Sequence, residues 1–141
     1  MNFLRSSLAL ILLGLALPSL SARIVSKTID YPDMQGTALE GTVVYDSKVE
    51  GERPGILVSH DWRGITVTTL HRCEMFAKLG YVAFAADIYG KGIHPQTIPE
   101  YGEQPSIYKS DRRLYRERAR AACEELLKQP QVDPSRTAAI G

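Results

Sequence analysis

Two short polar clusters, each set directly after an apolar run, hold the residues of this 141-residue chain best suited to chemistry. His60-Asp61-Trp62-Arg63-Gly64 follows Gly55–Ser59, and Asp87-Ile88-Tyr89 follows Tyr81–Ala86. A histidine exchanges its proton near neutral pH, and a carboxylate shifts the ionisation of any titrating group beside it. From residue type alone, Asp61 caps the next helix, pairs with Arg63, or acts on a neighbouring reactive group. Asp87, at a strand's end, is suited to binding loop amides, and Tyr89 either packs or lines a pocket. His71 falls on a predicted helix surface and His94 in a long loop, so the three histidines lack metal-ligand spacing. Cys73 and Cys123 sit in predicted helices, where neither is a good nucleophile, and two cysteines cannot make a four-cysteine zinc site. Neither a metal nor a cofactor is expected.

The elements that must position these clusters follow from periodicity. Ile24–Tyr31 alternates apolar and polar residues, as a half-buried strand does, and Pro32–Gly36 is a turn. Thr37–Tyr45 reads as a second strand, antiparallel to the first. Asp46–Pro54 is a loop, and Gly55–Ser59 lacks alternation, as expected of a strand covered on both faces. Thr68–Leu79 is helical, with Leu70, Cys73, Phe76 and Ala77 on one face and Gly80 in the terminating position. Tyr81–Ala86 is another buried strand, and Gly90–Tyr108 reads as a long irregular excursion. A helix runs from a Ser110 or Asp111 cap to Lys128, with Tyr115, Ala119, Ala122 and Leu126 as its apolar stripe. Gln129–Arg136 is a turn, and Thr137–Gly141 starts a third buried strand. The fold class is therefore α/β: two antiparallel strands followed by a parallel β-α-β-α-β unit. Ligands on such sheets bind beyond the carboxyl ends of the strands, so both polar clusters and whatever follows Gly141 converge at one edge.

Composition narrows the function classes. At 44% hydrophobic and 23% charged residues the chain is an ordinary globular mixture with formal net charge +1, which argues against a nucleic-acid partner. Arg112, Arg113, Arg116, Arg118 and Arg120 are interleaved with Asp111, Glu117, Glu124 and Glu125, the pattern of a solvated helix face. No Gly-x-Gly-x-x-Gly follows a strand, which leaves a Rossmann-type nucleotide site a weak reading. Residues 1–22 read as a signal peptide: Arg5, the apolar run Leu8–Leu17, then Pro18 and small residues up to a cut after Ser21 or Ala22. The run is about half the ~20 apolar residues of a spanning helix. The expected product, residues 23–141, is secreted or periplasmic and has no stable membrane insertion after cleavage.

Three blocks in order carry a resemblance. Gly55-Ile-Leu-Val-Ser-His-Asp-Trp-Arg-Gly64, Leu79-Gly-Tyr-Val-Ala-Phe-Ala-Ala-Asp-Ile-Tyr-Gly-Lys91 and Val132-Asp-Pro-Ser-Arg-Thr-Ala-Ala-Ile-Gly141 resemble successive blocks of the dienelactone hydrolase family. Leu39–Tyr45 resembles that family's opening strand. The resemblance implies an α/β-hydrolase sheet and an exported hydrolase of small-molecule carboxylic esters or lactones. It implies that the backbone amide of Trp62 is an oxyanion donor, with His60 shaping that loop or contacting substrate and Tyr89 lining the pocket. The family's acid in this block is Glu, which contacts the resting nucleophile; Asp61, one methylene shorter, stands at the matching position. It implies too that Gly141 opens the nucleophile elbow, with a Cys or Ser nucleophile, the acid and the histidine beyond it. Residues 23–141 would then be the N-terminal portion of an incomplete domain. By the same likeness, the helices bearing Cys73 and Cys123 lie on opposite faces of the sheet, too far apart for a bridge. The alternative is a non-catalytic exported α/β binding module.

Overall fold

The computed structural model describes residues 21–141; the expected signal peptide falls almost wholly on residues outside that range. Five strands form one sheet, β1 (Ile24–Pro32), β2 (Ala38–Asp46), β3 (Arg53–Ser59), β4 (Val82–Ala86) and β5 (Val132–Ile140). Their spatial order is β1-β2-β4-β3-β5, with β1 and β2 antiparallel and β3 parallel to both β4 and β5. Helix α1 (Val67–Lys78) covers one face, and α2 (Ile98–Ser110) and α3 (Arg112–Leu127) lie toward the other.

Alternation along the buried strands divides the core. Val82, Phe84 and Ala86 of β4 pack with Leu39, Val43 and Leu57 under Ala122 and Leu126 of α3. Ala83 and Ala85 turn the other way, joining Val44, Ile56 and Val58 against Cys73 and Ala77 of α1. Gly41 is required at its place in β2, because a Cβ there would lie 2.5 Å from the Phe84 ring. Cys73 is thus buried on one face while Cys123 packs on the other, both as free thiols. Burial pushes the Cys73 thiol up to about 12, which leaves it inert.

Several expectations need correction. The strand expected to be buried from Thr137 is exposed over Thr137–Ile140. Gly90–Tyr108 is not irregular throughout, for its second half belongs to α2, where the Glu100 carboxylate accepts the Gln96 and Thr97 N–H groups. Gln129–Arg136 is not only a turn. Strand β5 already pairs at Val132 with Arg53, then bulges, so that Pro54 faces Asp133 but Gly55 faces Thr137. Finally, the arginines of α3 do not share one solvated face. Arg118 is buried, with Nε 2.9 Å from Asp33 Oδ2, close enough for ion pairing but out of line for a hydrogen bond.

Asp33 organises the β1–β2 turn as well, accepting the N–H groups of Gln35 and Thr37 at 2.9 and 2.8 Å. Burial opposes its ionisation, but those amides and the Arg118 guanidinium together hold the carboxyl below its ordinary value. Replacing Asp33 by Asn leaves a buried guanidinium uncompensated and should destabilise the fold by about 3–5 kcal/mol in urea unfolding. Because the folded-state value is lowered, the Asp33 contribution is present above the ordinary carboxylate pKa and is lost as pH falls through the folded value. The gap between the native chain and Asp33→Asn should therefore narrow in acid; a loss below about 1 kcal/mol at neutral pH would show that the pair anchors nothing.

Candidate active site

Parallel pairing brings the carboxyl ends of β3, β4 and β5 side by side. Ser59 pairs with Ala86 and Val58 with Ile140, and a Cβ on Gly141 would lie 3.1 Å from the Ser59 Cβ. The segments that follow β3 and β4 therefore leave the sheet as neighbours. His60, Asp61 and Trp62 leave from one strand, Asp87, Ile88 and Tyr89 from the other, and all but Asp87 line one cleft of about 650 Å³.

Backbone groups freed at the strand ends must find partners, and these side chains supply them. The Asp87 carboxylate accepts the N–H groups of Tyr89 and Gly90 through Oδ1 and of Glu40 through Oδ2, at 2.9–3.0 Å. Its own N–H donates to the Tyr31 hydroxyl, a phenol that burial keeps protonated. The Tyr89 hydroxyl donates to the Trp62 carbonyl at 3.0 Å, and the Tyr108 hydroxyl of α2 donates to the Tyr89 carbonyl at 2.9 Å. Burial raises the Tyr89 pKa to about 12, so its hydroxyl is a donor throughout the neutral range.

His60 closes the arrangement. Its Nε2 accepts the Ile88 N–H at 3.3 Å, and its Nδ1 lies 2.7 Å from the Asp61 carbonyl. These contacts assign the neutral tautomer with the proton on Nδ1. The ring meets Tyr89 edge-on at 4.5 Å. His60 lines the cleft with both nitrogens committed to backbone, so it supplies shape and holds the two loops together.

Asp61 is brought to the same cleft, and its carboxylate is already engaged. Oδ1 accepts the Arg63 N–H and Oδ2 pairs with the Arg63 guanidinium, both at 2.9 Å. Those bonds from Arg63 hold the carboxyl below its usual range, and it remains an anion at neutral pH. Of the readings open from the sequence, the structure realises the Arg63 pair. The Trp62 N–H has no acceptor among the described residues, and Trp62 is 53% exposed, with its indole ring 5.2 Å from Tyr101.

The opposite wall went unread in the sequence. Pro105, Tyr108 and Lys109 of α2 and Arg112, Tyr115 and Arg116 of α3 complete the cleft, and the Tyr115 hydroxyl lies 3.1 Å from Ser59 Oγ. Tyr115, expected in the apolar stripe, faces this space instead. The three cations make one side of the cleft basic, against an Asp61 already neutralised by Arg63. His71 is exposed on α1 beside Glu74, as its position on the helix implied. Among the described residues, no three His, Cys, Asp or Glu side chains form a cluster suited to a metal ion.

A family model described as the dienelactone hydrolase family matches residues 39–141. The chain belongs to that family. The sheet of this family member is similar to that of a dienelactone hydrolase-like promiscuous phosphotriesterase from metagenomic libraries. The two are 33% identical with a TM-score of 0.79, over 86% of this chain and 49% of that one. It is also similar to a putative dienelactone hydrolase from Klebsiella pneumoniae, at 18% identity and a TM-score of 0.71, over 83% of this chain and 49% of that one. A chain from a structural and mechanistic analysis of two prolyl endopeptidases shares the fold at 20% identity and a TM-score of 0.55, over 82% of this chain and 17% of that one. This dienelactone hydrolase family chain spans about half the length of the first two solved relatives. No curated protein sequence matches it.

The imidazole gives the arrangement a pH signature. Burial lowers the His60 pKa from 6.5, against the smaller opposing pull of the Asp61 carbonyl and nearby carboxylates. A base whose folded value is depressed stabilises the fold fully above about pH 6.5, and this contribution declines as pH falls toward the folded value. An NMR titration should place the His60 midpoint below 6.5. A midpoint above it would mean that the ring carries a charge-stabilising partner and that the tautomer assigned above is wrong.

Proposed function

We propose that this chain forms the N-terminal portion of an exported hydrolase of carboxylic esters or lactones. In this reading residues 1–22 are its signal peptide and the nucleophile, acid and histidine lie in chain that continues past Gly141. The observation that carries it is the convergence of the β3, β4 and β5 ends on one cleft, with the unengaged Trp62 N–H at its rim. Family membership and the half-length overlap with a solved relative 33% identical support it.

The chemistry follows from where charge develops. A nucleophile presented on the turn after β5 attacks the ester carbonyl, and the carbonyl oxygen becomes an oxyanion. The Trp62 N–H and the amide following the nucleophile donate to that oxygen; one such donor is worth about 3–4 kcal/mol in the transition state. Collapse expels the alcohol, and water then releases the acid from the enzyme. Asp61 acts on the resting nucleophile in this scheme only by releasing Arg63, so the Asp61–Arg63 pair sets the cost of that movement. Lys109, Arg112 and Arg116 favour a substrate that carries negative charge near its ester.

The test uses the continuous protein and two esters, one bearing a free carboxylate and the other the same molecule with that carboxylate methylated. The anionic ester should be preferred. Replacing both Arg112 and Arg116 with Ala should cut its kcat/KM by about ten-fold to a hundred-fold, the range for a lost charged hydrogen bond, and spare the neutral ester. Ligand binding without turnover of either ester would favour the alternative, a non-catalytic binding module.

A further inference from the structure

Trp62 is the only tryptophan in the chain, and the oxyanion reading uses its backbone alone. The indole is half exposed while the segment around it is pinned: the Tyr89 hydroxyl fixes its carbonyl, and the next turn closes through the Gly64 N–H to the Asp61 carbonyl at 3.1 Å. Tyr101 of α2 braces the ring at an interplanar angle of 64°. A large apolar side chain held rigid at the edge of a polar cleft has lost rotamer freedom without gaining full burial. The cleft it lines measures about 650 Å³, room for a small molecule, and Arg112 and Arg116 line the same space.

We infer that the Trp62 indole is a stacking shelf for a planar aromatic ring of the substrate, whose negative charge is taken by Arg112 and Arg116. The inference rests on the reading of this cleft as the substrate site, and it adds the ring. Rigid indole and ring lose little freedom on contact, and an offset or edge-on aromatic pair gains beyond the area it buries. The guanidiniums supply the orientation that stacking lacks. Together they select an aromatic anion over an aliphatic anion of equal charge and similar size.

Benzoate and cyclohexanecarboxylate make that comparison, and their binding to the continuous protein can be read without turnover. The indole N–H signal that disappears in Trp62→Leu reports on Trp62 directly. Benzoate should shift it by ring current and bind about five-fold more tightly than cyclohexanecarboxylate, the increment of one aromatic pair. In Trp62→Leu the two acids should bind equally, and in Trp62→Phe part of the preference should remain. Charge-reversed probes separate the two contributions: benzylamine should bind more weakly than benzoate. Equal binding of the two acids by the native chain, or a preference that survives Trp62→Leu, overturns the shelf and leaves the hydrolase reading standing. A continuous protein that turns over no ester while the benzoate preference holds overturns the hydrolase reading and leaves the shelf.

Discussion

Everything at the sheet's carboxyl edge depends on how the orphaned amides beyond β4 are satisfied. Asp87 gathers two of them, from Tyr89 and Gly90, takes the Glu40 N–H of β2 as well, and thereby fixes the direction in which Tyr89 departs. Tyr89 then carries the constraint across to β3 by bonding the Trp62 carbonyl, and His60 returns it by bridging Ile88 and Asp61. Two loops that share no covalent link behave as one rigid rim. Buried polar groups are costly unless every one is paired, so the rim has few alternative arrangements. That rigidity is the property an oxyanion donor needs, since its value lies in being aimed before charge appears.

A second anchor sets the opposite wall. The buried Arg118–Asp33 contact ties α3 to the β1–β2 turn, which lies at the same carboxyl edge, with the Arg118 guanidinium beside Gly90. With α3 fixed there, Arg112, Tyr115 and Arg116, two turns and less before it, are presented to the cleft. Helix α2 joins this wall through Tyr108, whose ring stacks on Tyr89 at 5.3 Å and whose hydroxyl bonds the Tyr89 backbone. The cleft is thus bounded by an edge built on strand ends and a wall built on helices, joined through Tyr108 on Tyr89, Tyr115 on Ser59 and Tyr101 on Trp62.

The strand-end clusters were legible because apolar runs without alternation stop abruptly at His60 and at Asp87, and the parallel order places both at one edge. The role of Asp87 in binding loop amides followed from its position. Helix α2 was hidden because Pro99, Gly102 and Pro105 depress helix propensity. The spacing of Thr97 and Glu100, that of a capping box, was the signal available. Arg118 was lost among five arginines, yet it stands four residues from both Leu114 and Ala122, on the buried stripe of α3. Pro134 disguised the bulged start of β5 as a turn. The basic wall could not be read at all before α2 and α3 were placed, because Lys109 and Arg116 meet only where the two helices join.

The central claim is that this rim stabilises an oxyanion through the Trp62 amide. The direct measurement is a crystal structure of the continuous protein with its nucleophile trapped by a tetrahedral adduct, a phosphonate on serine or a hemithioacetal on cysteine. The account predicts the adduct's oxygen within hydrogen-bonding distance of the Trp62 nitrogen, about 2.7–3.1 Å, with His60 and Tyr89 still bonded as described. An adduct oxygen directed away from Trp62, toward solvent or another donor, would contradict it.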